Sequence, residues 1–135
     1  MKPFVRHASE VLPVPCPCGQ ATRIVTSADG AACSFHITEI HDAERHYHER
    51  TTEVYSILEG TGKVELDGEW HDVRPGSVVF IPPARDIGLS VRRESKRSWS
   101  PCPPFDAGDE VNEIKQHRAQ AMESSLLPSL ALGAG

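Results

Sequence analysis

The stretch Arg45-His46-Tyr47-His48-Glu49-Arg50-Thr51-Thr52-Glu53-Val54-Tyr55-Ser56-Ile57-Leu58-Glu59-Gly60 holds two histidines two residues apart, a glutamate five residues on and a glycine that ends an alternating run. On an extended strand, residues two apart point to the same side, so His46 and His48 aim both imidazoles at one face, about 6–7 Å apart along the chain. Glu53 to Leu58 alternates in the same way, with Tyr55 and Ile57 on the side of Glu53. Between the two strands, Arg50, Thr51 and Thr52 supply a turn expected to bring the second strand back alongside the first and set a carboxylate opposite the imidazoles. Two histidines and one carboxylate form the ligand set of a metal site with open positions. A His-x-His pair alone is commonplace on solvated strands, so the weight rests on Glu53 and on Gly60 at the strand end.

Outward from this stretch the pattern stays β. Eleven prolines and ten glycines fall between short runs rich in Val, Ile, Phe and Tyr, as in an all-β protein with many turns. Thr22 to Thr26 reads as a strand, Ala28-Asp29-Gly30 as its turn, and Ala32 to Ile40 as the return strand of a hairpin. After the Gly60-Thr61-Gly62 corner, Val64 and Leu66 lead into Asp67-Gly68, a dipeptide suited to the positive φ angles of a two-residue turn. Trp70 and Val73 follow it. Arg74-Pro75-Gly76 is a further turn, Ser77 to Ile81 an apolar run with the length of a buried strand, and Ile87, Leu89 and Val91 resume the alternation past Pro82-Pro83. Strands recurring every ~8–12 residues suit a sandwich or small barrel. There is no internal repeat and no linker between two domains.

The ends differ. Residues 1–20 carry Pro3, Pro13, Pro15 and Pro17 and read as an extended arm on the surface or on a neighbouring subunit; residues 21–105 are the barrel. In residues 106–135, Val111, Ile114, Arg118 and Met122 keep rough helical spacing, which predicts a short C-terminal helix followed by a frayed tail from Ser124. The totals, 135 residues with net charge −5, seven histidines and four cysteines, allow one domain of ordinary globular composition. The mild acidic excess argues against nucleic acid as a partner. No apolar run approaches the ~18 residues needed to span a bilayer, and Met1-Lys2-Pro3-Phe4-Val5 lacks the apolar stretch of a secretion signal, so a cytoplasmic protein is expected. Cys16 and Cys18 flank Pro17 while Cys33 and Cys102 stand alone. That is neither a disulfide framework nor Cys-x-x-Cys zinc spacing, and reduced structural thiols are expected, with Cys16 and Cys18 open to a metal or a disulfide.

His46, His48, Glu53 and Gly60 match, without a gap, the first signature of the cupin superfamily; only its leading glycine is absent, Ile40 standing in its place. The second signature is matched by Gly76 and Pro82, while Ala84, Ile87 and Val91 occupy its glycine, histidine and asparagine positions. With Pro103-Pro104-Phe105-Asp106, similar to a common cupin exit from the barrel, the resemblance spans about Ala21 to Pro104. It implies a small single-domain conserved-barrel cupin: a double-stranded β-helix, or jelly roll, with one metal in the barrel mouth and often a homodimer. The superfamily spans dioxygenases, isomerases, epimerases, decarboxylases, sensors and storage proteins, so fold alone names no reaction.

The usual cupin metal is held by three histidines and one glutamate, and Ile87 offers no lone pair at the third histidine's position. Three outcomes follow. The foremost is that His46, His48 and Glu53 bind one divalent ion (iron, manganese, nickel or zinc) as three ligands, leaving open positions for water, dioxygen or a bidentate substrate. Next is loss of the metal, with the barrel binding a small molecule. Last is a fourth ligand from His36, His41 or Asp86. Tyr55 either donates a hydrogen bond to a ligand or is a core aromatic. His36, mid-strand, points inward or outward, and Ile87 makes its side of the mouth apolar; these three are the candidate substrate-binding residues. His71 reads as surface and Arg92 to Arg97 as a basic, solvated hairpin end. No separate general base is visible. The expectation is a metal-dependent cupin enzyme, oxidoreductase or isomerase, acting on a small polar molecule; the alternative is a non-catalytic small-molecule-binding cupin.

Overall fold

The computed structural model describes residues 2–41, 43–85, 87–91 and 95–112. Among them are eleven strands: β1 (Val14–Cys16), β2 (Gly19–Val25), β3 (Phe35–Ile40), β4 (Ala43–His48), β5 (Thr52–Glu59), β6 (Gly62–Leu66), β7 (Glu69–Val73), β8 (Val78–Ile81), β9 (Ile87–Val91), β10 (Ser95–Cys102) and β11 (Glu110–Asn112). They form a six-stranded sheet in the order β1-β2-β3-β10-β5-β8 and a five-stranded sheet in the order β11-β4-β9-β6-β7. Neighbouring strands run antiparallel throughout. The chain is the jelly roll that the sequence pattern predicts. The only helical pieces described are single 3-10 turns at Ala8–Glu10 and Ser27–Asp29.

The period of two decides which side chains meet. Along β3 the inward positions are His36, Thr38 and Ile40; along β5 they are Glu53, Tyr55 and Ile57; along β10 they are Ser95, Arg97, Trp99 and Pro101. Register sets Trp99 between His36 on β3 and Tyr55 on β5. The opposite sheet contributes Val64, Val73 and Ile87, and these pack with Ile40, Tyr55, Ile57, Val79, Ile81 and Trp99 into one core. Each large apolar side chain so buried contributes about 1.5–3 kcal/mol. Polar inward residues lie among them, Glu53 opposite Ile81 and Arg97 opposite Ile57 in register.

The hairpins follow the turn chemistry. β2 pairs with β3, and β6 pairs with β7 through Asp67 and Gly68 at φ 49° and 87°, the left-handed pair that the dipeptide favours. Ala84 also has positive φ, 59°, at the position where the second cupin signature carries glycine, and its N–H donates to the His48 carbonyl at 2.6 Å. This bond ties the turn after β8 to the end of β4.

Four expectations meet a different structure. The sheet reaches back beyond residue 21: β1 pairs with β2 through Val14↔Ala21, Pro15↔Gln20 and Cys16↔Gly19, with Pro15 tolerated because β1 is an edge strand. Val111 lies in β11, paired with Tyr47, while the rest of the expected C-terminal helix, and Asp86, lie outside the described residues. The Ser77–Ile81 segment is only half buried, since Val78 and Phe80 are 67% and 64% exposed. The expectation of reduced thiols is overturned for Cys33 and Cys102, which form a disulfide; residues 69 apart in sequence meet because β10 runs antiparallel to β3, a pairing that cysteine spacing does not reveal. Cys16 and Cys18 are free thiols with their sulfurs 3.0 Å apart.

Candidate metal centre and cavity

The expected turn between β4 and β5 does not return the chain alongside itself. β4 belongs to the five-stranded sheet and β5 to the six-stranded one, so residues 49–51 carry the chain across the sandwich and Glu53 faces the two histidines from the opposite wall. Asp109 pins this crossing. Its carboxylate, 2% exposed, accepts from the Arg50 backbone N–H (3.2 Å), Arg50 Nε (3.1 Å) and Thr51 Oγ1 (2.6 Å). Burial alone would push the Asp109 carboxyl up, but the bonds from Thr51 and Arg50 outweigh it and hold the group below the usual carboxylate range.

His46, His48 and Glu53 each present a ligand atom, and these atoms all lie within 4.8 Å of one another. The two imidazole centroids are 5.3 Å apart with planes at 86°. His48 Nε2 stands 3.4 Å from Glu53 Oε1, which also accepts from the Tyr55 hydroxyl at 3.3 Å. Glu53 Oε2 is buried without a hydrogen-bond partner. Burial raises the Glu53 carboxyl above its ordinary value, against the opposing pull of the Arg97 and His46 charges. A buried carboxylate with an orphaned oxygen beside two imidazoles fits a divalent cation, which would compensate its charge and take its free lone pairs. Tyr55, fully buried, has its hydroxyl pushed up and thus held neutral, first by burial; it acts as a donor to Glu53.

A cavity of about 60 Å³ opens beside this cluster. Of the residues singled out in the sequence, His46, His48, Tyr55 and Ile87 line it. Ile87 is 1% exposed and sits across from His46 in register, so the position of the missing histidine does adjoin the cluster. His36 points inward but is not on the cavity lining: it packs against the rings of Trp99 (5.0 Å) and Phe105 (6.0 Å). Neither it nor exposed His41 joins the metal cluster.

Six further residues line the cavity: Pro17, Arg97, Trp99 and Glu110, which the sequence did not mark as site residues, Phe105 from the exit segment, and Cys18, expected only as a thiol open to a metal or a disulfide. Arg97 belongs to the basic run taken for a solvated turn, yet it lies within β10 and is 5% exposed. Its alternation with Trp99 and Pro101 was the signal that could have placed it inside. Pro17, Cys18 and Glu110 come from the two chain ends and reach the cavity only through the pairings of β1 with β2 and β11 with β4. Burial, with the bond to Cys16 next, raises the Cys18 thiol to about 12, so it stays protonated at neutral pH.

His36 makes the stability of the protein depend on pH. Burial, aided by the charge of Arg23, pulls its pKa down to about 4, against ~6.5 in an unfolded chain. As pH falls from ~6.5 toward that value, the unfolded chain takes up a proton that the folded one refuses, so stability falls, by up to about 3 kcal/mol. Urea denaturation of His36→Phe alongside the parent should show this slope in the parent and not in the variant; parallel profiles would contradict it.

A jelly roll with a His-x-His strand and a glutamate facing it across the barrel mouth is the cupin arrangement. The family described as "Cupin domain" matches residues 35–88, and the chain belongs to the cupin superfamily. The L-ectoine synthase of Halomonas elongata is 38% identical over 111 residues, covering 77% of this chain and 78% of that protein. Among solved structures, a protein from Planctomyces limnophilus is 31% identical with a TM-score of 0.75, covering 81% of this chain and 96% of that one. The ectoine synthase from P. lautus shares the fold at 18% identity, with a TM-score of 0.69 over 98% of this chain and 96% of that one.

Proposed function

We propose that this cupin is an enzyme that holds one divalent metal ion, iron, manganese, nickel or zinc, at His46, His48 and Glu53 and acts on a small polar molecule in the adjoining cavity. The observation that carries the proposal is the convergence of three ligand atoms within 4.8 Å, with the glutamate's second oxygen buried and unpartnered. A bound ion of this kind supplies Lewis-acid polarisation of a ligand oxygen or, if redox-active, electron transfer. The chain's own residues do the remainder. Tyr55 orients Glu53 by donating to Oε1, and Trp99, Ile87 and Phe105 keep bulk water from the cluster. The resemblance to an enzyme, L-ectoine synthase, over three quarters of the chain supports catalysis over passive binding. The second reading, a non-catalytic small-molecule-binding cupin, draws on Ile87, which replaces a ligand with an apolar wall.

Elemental analysis of protein purified without chelator or nickel resin tests the proposal. About one equivalent of a single divalent metal is expected, and that metal's identity would narrow the reaction class; a trace amount would favour the second reading.

A homodimer is part of the proposal. Val54 and Phe80 lie opposite each other in register on the outer face of β5 and β8, with Val78 beside them, exposed by 38%, 64% and 67%, an apolar patch at a sheet edge of the kind that protein contacts cover. Light scattering at the monomer mass would remove this element. Among the described residues no helix is long and apolar enough to cross a membrane. A disulfide such as Cys33–Cys102 persists in oxidising surroundings and is rare in the cytoplasm expected from the sequence.

A further inference from the structure

Arg97 is a charge in the interior of the barrel. It is 5% exposed, its Cζ lies 3.6 Å from the centroid of the Tyr55 ring and 5.8 Å from that of Trp99, and its Nε is buried with no hydrogen-bond partner. Stacking on the two rings and a hydrogen bond to the Tyr55 side chain offset part of the desolvation of the guanidinium, but Nε is left without an acceptor. The neighbouring carboxylate does not supply that acceptor: Glu53 Oε1 accepts from Tyr55, and the group belongs to the metal cluster. Arg97 lines the same cavity as His46 and His48. What this wall of the cavity offers a ligand is a buried positive charge with an N–H that no protein acceptor takes, which an anionic oxygen would complete.

We propose that Arg97 is the anchor for the ligand's anionic end, and that this cavity takes a small organic carboxylate, whose two coplanar oxygens match the guanidinium's fork. The planar fork is what distinguishes arginine from a point charge in this role. The cavity's size limits the ligand: about 60 Å³, at ~10–15 Å³ per water, is room for about four to six water-sized groups. The inference rests on the assignment of this cavity as the ligand site and adds the ligand's chemical class. It does not depend on the metal, because the guanidinium is in place without one.

NMR titration of chelator-treated protein with propionate and with its neutral isostere propionamide tests the anchor. Propionate should shift signals of cavity residues, and propionamide should bind at least about tenfold more weakly, as for loss of a charge-assisted pair. Arg97→Met should weaken propionate by a similar factor, with Arg97→Lys in between. Because this titration is run on metal-free protein and metal loading is measured by elemental analysis of untreated protein, failure of the metal site and failure of the anchor read out separately. Equal binding of acid and amide, no propionate binding to the parent, or undiminished binding to Arg97→Met would overturn the proposal. If Arg97→Met does not fold, the acid-against-amide comparison and Arg97→Lys decide it.

Discussion

Replacing His46 and His48 together by alanine should abolish divalent-metal binding and with it the stabilisation that metal confers. A ligand present at 100 times its Kd stabilises the folded state by about 2.7 kcal/mol, so the parent should melt at a clearly higher temperature with saturating metal than in chelator. The double variant leaves only Glu53 of the three-residue cluster and should show no such difference. Glu53→Gln should fall between, because the amide keeps the shape and the acceptor from Tyr55 but loses the charge that holds a cation. Scanning calorimetry with and without manganese or zinc measures all three proteins. Equal stabilisation of parent and double variant would place the metal elsewhere and remove the basis for the proposed function. The metal-free parent carries its own cost, a buried carboxyl whose pKa is raised by desolvation. That carboxyl stays buried in the double variant and loses the opposing pull of His46, so the metal-dependent difference in melting temperature, not the metal-free stability, is the readout.

The Cys33→Ser, Cys102→Ser variant is expected to lose about 4 kcal/mol of unfolding free energy, a large share of the ~5–15 kcal/mol typical of a domain. The two cysteines are 69 residues apart, and closing a loop of that length removes roughly this much conformational freedom from the unfolded chain. Urea denaturation at matched pH gives the number, and treatment of the parent with reductant should reproduce it. The consequence reaches the cavity. Next to the bridge, Ser34 accepts from the Phe105 backbone N–H at 2.8 Å and its own N–H donates to the Pro101 carbonyl, which positions the Phe105 ring against Trp99. A thiol assay on unfolded, unreduced protein should find two free thiols, those of Cys16 and Cys18. Four thiols, or a stability loss below about 1 kcal/mol, would refute the bridge.

Much of the metal cluster was legible before any coordinates. His46, His48 and Glu53 are read from spacing, because strand periodicity is local and the turn between the strands is short. Tyr55 and Ile87 were named for the same reason, one by its parity with Glu53 and the other by its place in the second signature, and both line the cavity. His36 was named without a direction. Its inward orientation follows from the parity of β3, but its exclusion from the cavity depends on Trp99, which comes from a strand some sixty residues later. Arg97 follows four charged residues, Arg92, Arg93, Glu94 and Lys96, and a run of that composition reads as solvated. Its burial depends on β10 beginning at Ser95, a register that composition does not report.

By itself, the sequence determined the all-β architecture, the hairpins at Asp67-Gly68 and between β2 and β3, and the identity of the three candidate ligands. Each of these is a property of residues close together in the chain, set by side-chain alternation and by which residues accept positive φ. Only the tertiary structure decided that β4 and β5 lie in opposite sheets, so that Glu53 meets the histidines across the barrel rather than beside them. Only it joined Cys33 to Cys102, brought Cys18 and Glu110 from the two ends to the cavity, and turned Arg97 inward. Those outcomes depend on which distant strands pair and in what register, and that is settled by how the whole set of apolar faces packs at once.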